Sequence, residues 1–159
     1  MRSTLLTTAL AAVLCLSSCS IGYNREWAKA TREAAAHAPT DMTGPWIGTW
    51  RSEVNGHNGE LRCIVSATAK DGAAKGSDSQ PGQTHRFHYH ATFMKILSAT
   101  YDVNHQIHRT TDGYTFSGDQ EIYGKGSGIY HYEGRATPQI FHATFRSEHD
   151  HGVFEMKRP

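Results

Sequence analysis

No stretch of this chain is apolar for long enough to span a bilayer, which takes about 20 residues as a helix. The apolar run from Leu5 to Leu16 falls short of that. With Arg2 ahead of it and the small residues Ser17 and Ser18 behind, it has the layout of an export signal that is cut away. An excess of charge is also missing: the formal net charge is +1 at pH 7, and loss of Arg2 with the signal balances the two signs. Without a basic face, no nucleic-acid partner is expected. Catalytic signatures are lacking as well, with no Gly-x-Ser-x-Gly elbow, no His-Glu-x-x-His and no phosphate loop. Asp150 and His151 would supply half of a proton relay, but no nucleophile goes with them. The chain is therefore expected not to be an enzyme.

What the chain does have is alternation. From Trp46 onward apolar residues recur with a period of two: Trp46/Gly48/Trp50, Leu61/Cys63/Val65, Phe87/Tyr89/Ala91/Phe93 and Ala99/Tyr101/Val103. Tyr114/Phe116, Tyr130/Tyr132, Phe141/Ala143/Phe145 and Phe154/Met156 continue it. Those are eight strands, separated mostly by turn residues such as Asn55-Gly56, Asp112-Gly113 and Gly124 to Gly128. Lys70 to Thr84 is a long aperiodic connection, expected to be a mobile surface loop. Strands joined by short turns pair as neighbours, and closing the sheet hides one face and both edges. The fold class is thus all-β, an eight-stranded antiparallel up-and-down barrel spanning residues 44–159. Thr49-Trp50-Arg51-Ser52-Glu53 is echoed by Thr144-Phe145-Arg146-Ser147-Glu148, which places two similar turns beside the closing seam.

Ahead of the barrel, residues 19–43 form an alanine-rich tether. Asn24 to His37 suits a short helix capped by Asn24, with Trp27 as its large apolar side chain and Pro39 ending it. Two arrangements are open: a flexible leash, or a helix that covers one barrel end through Trp27.

Leu16-Ser17-Ser18-Cys19 resembles the bacterial lipobox, with residues 1–18 as lipoprotein signal peptide. The resemblance implies that Cys19 becomes the lipidated first residue, carrying three acyl chains. Two chains already hold a protein stably on a membrane. Ser20 is not the Asp that resembles an inner-membrane retention signal, so the implied site is the cell envelope, at the outer membrane where there are two. Of three cysteines, Cys15 leaves with the signal and Cys19 is lipidated. Cys63 is then left without an intramolecular partner, and alternation buries it beside Leu61 and Val65.

Gly44-Pro45-Trp46 at the first strand resembles the Gly-x-Trp opening of lipocalin-like (calycin) barrels, in which the Trp closes one end beneath a basic residue from the last strand. That resemblance implies a Trp46–Arg158 pair, held by a cation–π contact. The disulfide and long mouth loops frequent in secreted lipocalins are not evident here. The block from Trp46 to Pro159 is also similar to uncharacterised bacterial secreted proteins.

Inward positions would be Trp50, Leu61, Cys63, Phe87, Tyr89, Phe93, Tyr101, Phe116, Tyr132, Phe141, Phe145 and Met156. So aromatic a face, with several hydroxyl ends, suits a small, partly apolar ligand inside the barrel. Equally, the same rings could fill the lumen and leave a structural or interaction module of the envelope that works through its outside. Eleven histidines raise metal or haem binding as a further alternative. His88 and His90 flank inward Tyr89 and so lie outside. His57, His149 and His151 fall on turns at one barrel end, where three convergent ligands would hold a metal and solvated turn residues would not. For a haem, His142 or His131 would be the axial ligand. No cofactor is otherwise implied, and the expected partners are the membrane, through the lipid, and the small apolar ligand.

Overall fold

A computed structural model describes residues 21–68, 83–93, 97–122 and 128–159. The strands are β1 (Gly44–Ser52), β2 (Asn58–Ala67), β3 (Gln83–Phe93), β4 (Leu97–Thr110), β5 (Gly113–Ile122), β6 (Gly128–Ala136), β7 (Ile140–Arg146) and β8 (His151–Lys157). Each pairs antiparallel with the next, and β8 returns to β1 with Ile47 opposite Lys157 and Trp50 opposite Phe154. The sheet is therefore a closed eight-stranded barrel, as the alternation requires. Cys19, the signal segment, residues 69–82 of the long connection and residues 123–127 of the β5–β6 turn lie outside the described residues.

All twelve expected inward side chains face the lumen. Ten belong to the buried cluster, and Phe93 and Tyr101, which lie further toward one end, pack against it partly buried. Cys63 is a free, fully buried thiol, and burial pushes its pKa well above the ordinary value. That makes it an inert packing element. The alternation runs further along β4 than its apolar residues suggest, through His105 to Ile107, both buried.

One inward position on β6 carries no side chain. Gly134 stands opposite Phe116 on β5, and a Cβ there would collide with the Phe116 ring and lie 2.7 Å from the His142 carbonyl oxygen. Backbone cannot yield as a side chain can. Gly134→Ala is expected to cost about 1–3 kcal/mol by overpacking, read as a lower urea midpoint. An unchanged midpoint would mean that the Phe116 ring swings clear.

The N-terminal helix, α1, is helical from residue 21 through 36. Asn24 lies inside it and caps nothing, so the expected start was too late; the missed first turn holds Tyr23. Nor does α1 cover a barrel end. It lies along the outer wall of β2 and β3, where Tyr23 is 1% exposed and meets His88 edge-on and His90 in a stack, at 4.9 and 4.8 Å. Glu26 pairs with His88 Nδ1 at 2.9 Å and with Arg86 at 3.2 Å. The Arg62 guanidinium lies 5.4 Å from the Trp27 ring. His88 and His90 do point outward, as alternation demands, but they are the floor on which α1 is seated.

Candidate functional site: the two ends of the barrel

The ends differ, and the difference begins with which residues β1 and β8 bring together. At the end where β1 starts and β8 finishes, Trp46 is fully buried, with its Nε1 donating to the Met42 carbonyl at 2.9 Å. The Arg158 guanidinium carbon sits 3.8 Å from the centre of the Trp46 ring. Arg158 also donates to four backbone carbonyls: Pro138, Thr43, Pro45 and Asp41. Desolvation lowers its pKa to about 10, which still leaves it cationic at neutral pH. Gly44 makes the close fit possible. Its φ is +95°, and a Cβ would come 3.3 Å from Arg158 Nη1. This end is sealed.

Above the seal the lumen is packed with rings. Phe87, Phe116 and Phe141 contact one another, with centroid separations from 4.8 to 6.1 Å. His105 is wedged among them, 4.3 Å from the Phe87 ring centre and 5.3 Å from that of Phe116. Its Nε2 lies 3.5 Å from the Tyr89 hydroxyl, while its Nδ1 is buried without a hydrogen-bond partner. Burial lowers its pKa to about 4, against smaller opposing effects of the Ser117 backbone and Asp119. His85, directly across from it on β3, is also buried. These two interior histidines were not foreseen; extending the inward parity of Phe87 back by two residues, and of Val103 forward by two, finds both.

The opposite end is open in character. Tyr101 stacks on Tyr89 at 5.3 Å, Tyr130 on Tyr132 at 6.4 Å, and Trp50 leans on Phe93 at 4.9 Å. Tyr101, Tyr130 and Phe93 are only partly buried. Trp50 Nε1 donates to the Thr92 carbonyl at 2.8 Å, fixing its indole across the rim. A cleft of about 740 Å³ opens here, bordered by Thr49, Trp50, His57, Gly59, Thr92 and Phe93 among others. Burial raises the pKa values of Tyr89, Tyr101 and Tyr132, so their hydroxyls stay protonated and able to donate. Eight of the twelve inward residues therefore fall into two groups. Phe87, Phe116 and Phe141 pack the lower lumen, while Trp50, Phe93, Tyr101, Tyr132 and Phe145 belong to the upper part.

His57, His149 and His151 do reach this end, all exposed. His151 Nε2 lies 4.0 Å from Glu53, and among the described residues no three His, Cys, Asp or Glu side chains are grouped to hold a metal. His131 and His142 are exposed on the outer face, because Tyr132, Phe141 and Ala143 take the inward positions. Neither is placed to ligate a haem in the lumen. Asp150, read as half a relay, instead accepts a 2.6 Å bond from Ser52 Oγ, which itself accepts from the Val54 and Asn55 amides. Ser147 Oγ accepts from the His149 and Asp150 amides in the same way. The repeated Arg-Ser-Glu segments are thus two hydroxyl-capped turns tied to each other across the seam. Compared with protein-family models, curated proteins and solved structures, the chain shows no match.

Proposed function

We propose that this chain is an exported, lipid-anchored envelope protein whose barrel binds a small, partly apolar molecule through its open end, without catalysis. The observation that carries the reading is the asymmetry of the ends. One is closed by the Trp46–Arg158 stack and four hydrogen bonds, while the other presents the partly buried rings of Tyr101, Tyr130 and Phe93, with a cleft beside Trp50 and Phe93. Rings give apolar contact, and hydroxyls orient a ligand that carries an acceptor. The dense packing of Phe87, Phe116, Phe141 and His105 confines any ligand to the upper part of the lumen. That same packing favours the second reading, a filled barrel that works through its outer surface.

Residues 20–159, isolated without lipid, would be examined by native mass spectrometry and titrated with the apolar fluorophore N-phenyl-1-naphthylamine. A retained small-molecule mass is expected, together with fluorophore uptake that Trp50→Leu weakens roughly ten-fold or more, as for a buried aromatic anchor. A bare mass in every preparation and no fluorophore uptake would leave the filled barrel as the function-bearing form.

A further inference from the structure

We propose that Asn55 is a site of spontaneous covalent modification, converting through a cyclic imide to aspartate and isoaspartate, while nearby Asn58 is protected. The conversion needs no ligand and no membrane anchor. One hairpin holds two Asn-Gly pairs, Asn55-Gly56 and Asn58-Gly59. Glycine after an asparagine obstructs ring closure least, because it has no Cβ to block the approach and its backbone turns freely. The dipeptides alone rate the two sites alike; the fold separates them.

At Asn55 an electrophile, a nucleophile and room to move come together. The electrophile is the side-chain carbon Cγ. Its oxygen, Oδ1, accepts a 2.9 Å hydrogen bond from the His57 amide, which holds the side chain forward across the Gly56 peptide. That donor is aimed at the oxygen on which negative charge gathers when Cγ is attacked, and a fixed donor at such a point lowers the barrier. The nucleophile is the Gly56 nitrogen. Every other amide from Ser52 to His57 is engaged: Ser52 with the His57 carbonyl, Glu53 with that of His151, Val54 and Asn55 with Ser52 Oγ, and His57 with Asn55. Among the described residues the Gly56 N–H has no such acceptor. Asn55, Gly56 and His57 are exposed, the Gly56 φ is +74°, and a Cβ there would meet no atom within 4 Å. The peptide can therefore swing toward Cγ without displacing a neighbour.

Asn58 lacks this freedom. It is paired in β2 opposite Arg51, and its Nδ2, the group that would leave, donates to the Gly56 carbonyl at 3.1 Å. Gly59 is paired opposite Trp50 and wedged against β3. A Cβ on it would collide with the Thr92 carbonyl oxygen and lie 2.8 Å from Trp50 Nε1. Ring closure there requires the hairpin to open first.

The chemistry balances with water as the sole co-reactant. Gly56 N loses its proton to solvent and bonds to Cγ, while Nδ2 takes up a proton and leaves as ammonia. Water then opens the imide, at Cγ to give aspartate or at the main-chain carbonyl to give isoaspartate. Either product places a new carboxylate two residues from Glu53. Isoaspartate also adds a methylene to the backbone of the turn whose Gly56 and His57 border the cleft.

The full chain would be held in warm, mildly alkaline buffer, sampled over weeks, cut with trypsin and sequenced by mass spectrometry. Cleavage after Arg51 and Arg62 releases both asparagines in one peptide, and fragmentation tells them apart. A synthetic peptide of residues 52–62 is treated alongside. In the peptide both asparagines are expected to take on the mass of the acid at similar rates. In the folded chain Asn55 is expected to convert at least about ten-fold faster than Asn58, the ratio that a barrier difference of about 1.4 kcal/mol gives. Equal rates in the folded chain, or Asn58 leading, overturn the proposal. So does an Asn55 that stays intact while the peptide reacts.

Discussion

Truncating Trp46 to alanine is expected to cost about 3–5 kcal/mol of stability, the range for a large aromatic removed from a packed core. The indole is fully buried, touches Phe141 at a centroid distance of 5.6 Å, and lies under the Arg158 guanidinium. Alanine would leave a void at the one place where the barrel is plugged, and would strand the Met42 carbonyl that Nε1 now satisfies. Arg158 keeps its carbonyl partners in that variant but loses the ring beneath it. A double-mutant cycle with Arg158→Met is therefore expected to show a coupling of roughly 1–2 kcal/mol, as for a desolvated cation over an indole. Urea unfolding of the four proteins supplies the numbers. A loss below about 0.5 kcal/mol for Trp46→Ala, the range of surface substitutions, would place Trp46 outside the seal.

That seal was expected from the resemblance of Gly44-Pro45-Trp46 and Arg158 to the two ends of a lipocalin-like barrel, and alternation alone would not have paired them. The eight strands were legible for a simpler reason. A closed barrel has one wet face and one dry face, so every strand writes the same period into the chain. Where polar residues occupy dry positions the signal fades, and His105 is the case in point. Its neighbours Asn104 and Gln106 are polar too, so the run after Val103 reads as a solvated strand end although it continues inward. The seat of α1 was illegible for a related reason. Its partner surface is made of Arg62, Arg86, His88 and His90, and α1 meets it with Tyr23, Glu26 and Trp27. No apolar stripe was needed, so none appeared. The division of the aromatic residues into a packed floor and a partly exposed rim depends on ring stacking between strands far apart in sequence, which alternation does not encode.

His105 carries the remaining large effect, a dependence of stability on pH. In the unfolded chain its imidazole titrates near 6.5; in the barrel the value is about 4. Between those limits the unfolded state takes up a proton that the folded state refuses, so this contribution weakens as pH falls through 6.5 and is exhausted near 4. The full loss is about 3 kcal/mol, at roughly 1.4 kcal/mol for each pH unit separating the two values. His90, whose pKa is also lowered, first by burial and then by Arg62 and His88, acts in the same direction. A comparison with a variant isolates His105 from it and from the carboxylates. His105→Leu keeps comparable bulk among Phe87, Phe116 and Tyr132 and removes a buried Nδ1 that has no partner. At pH 7 that exchange is expected to be neutral or stabilising, because an unsatisfied polar atom is replaced by an apolar one. The difference in unfolding free energy between the two proteins is then expected to change with pH from 6.5 to 4 and to be flat above pH 7. Parallel curves for both would show that the His105 ring is protonated inside the barrel, with the Ser117 backbone and Asp119 outweighing the desolvation.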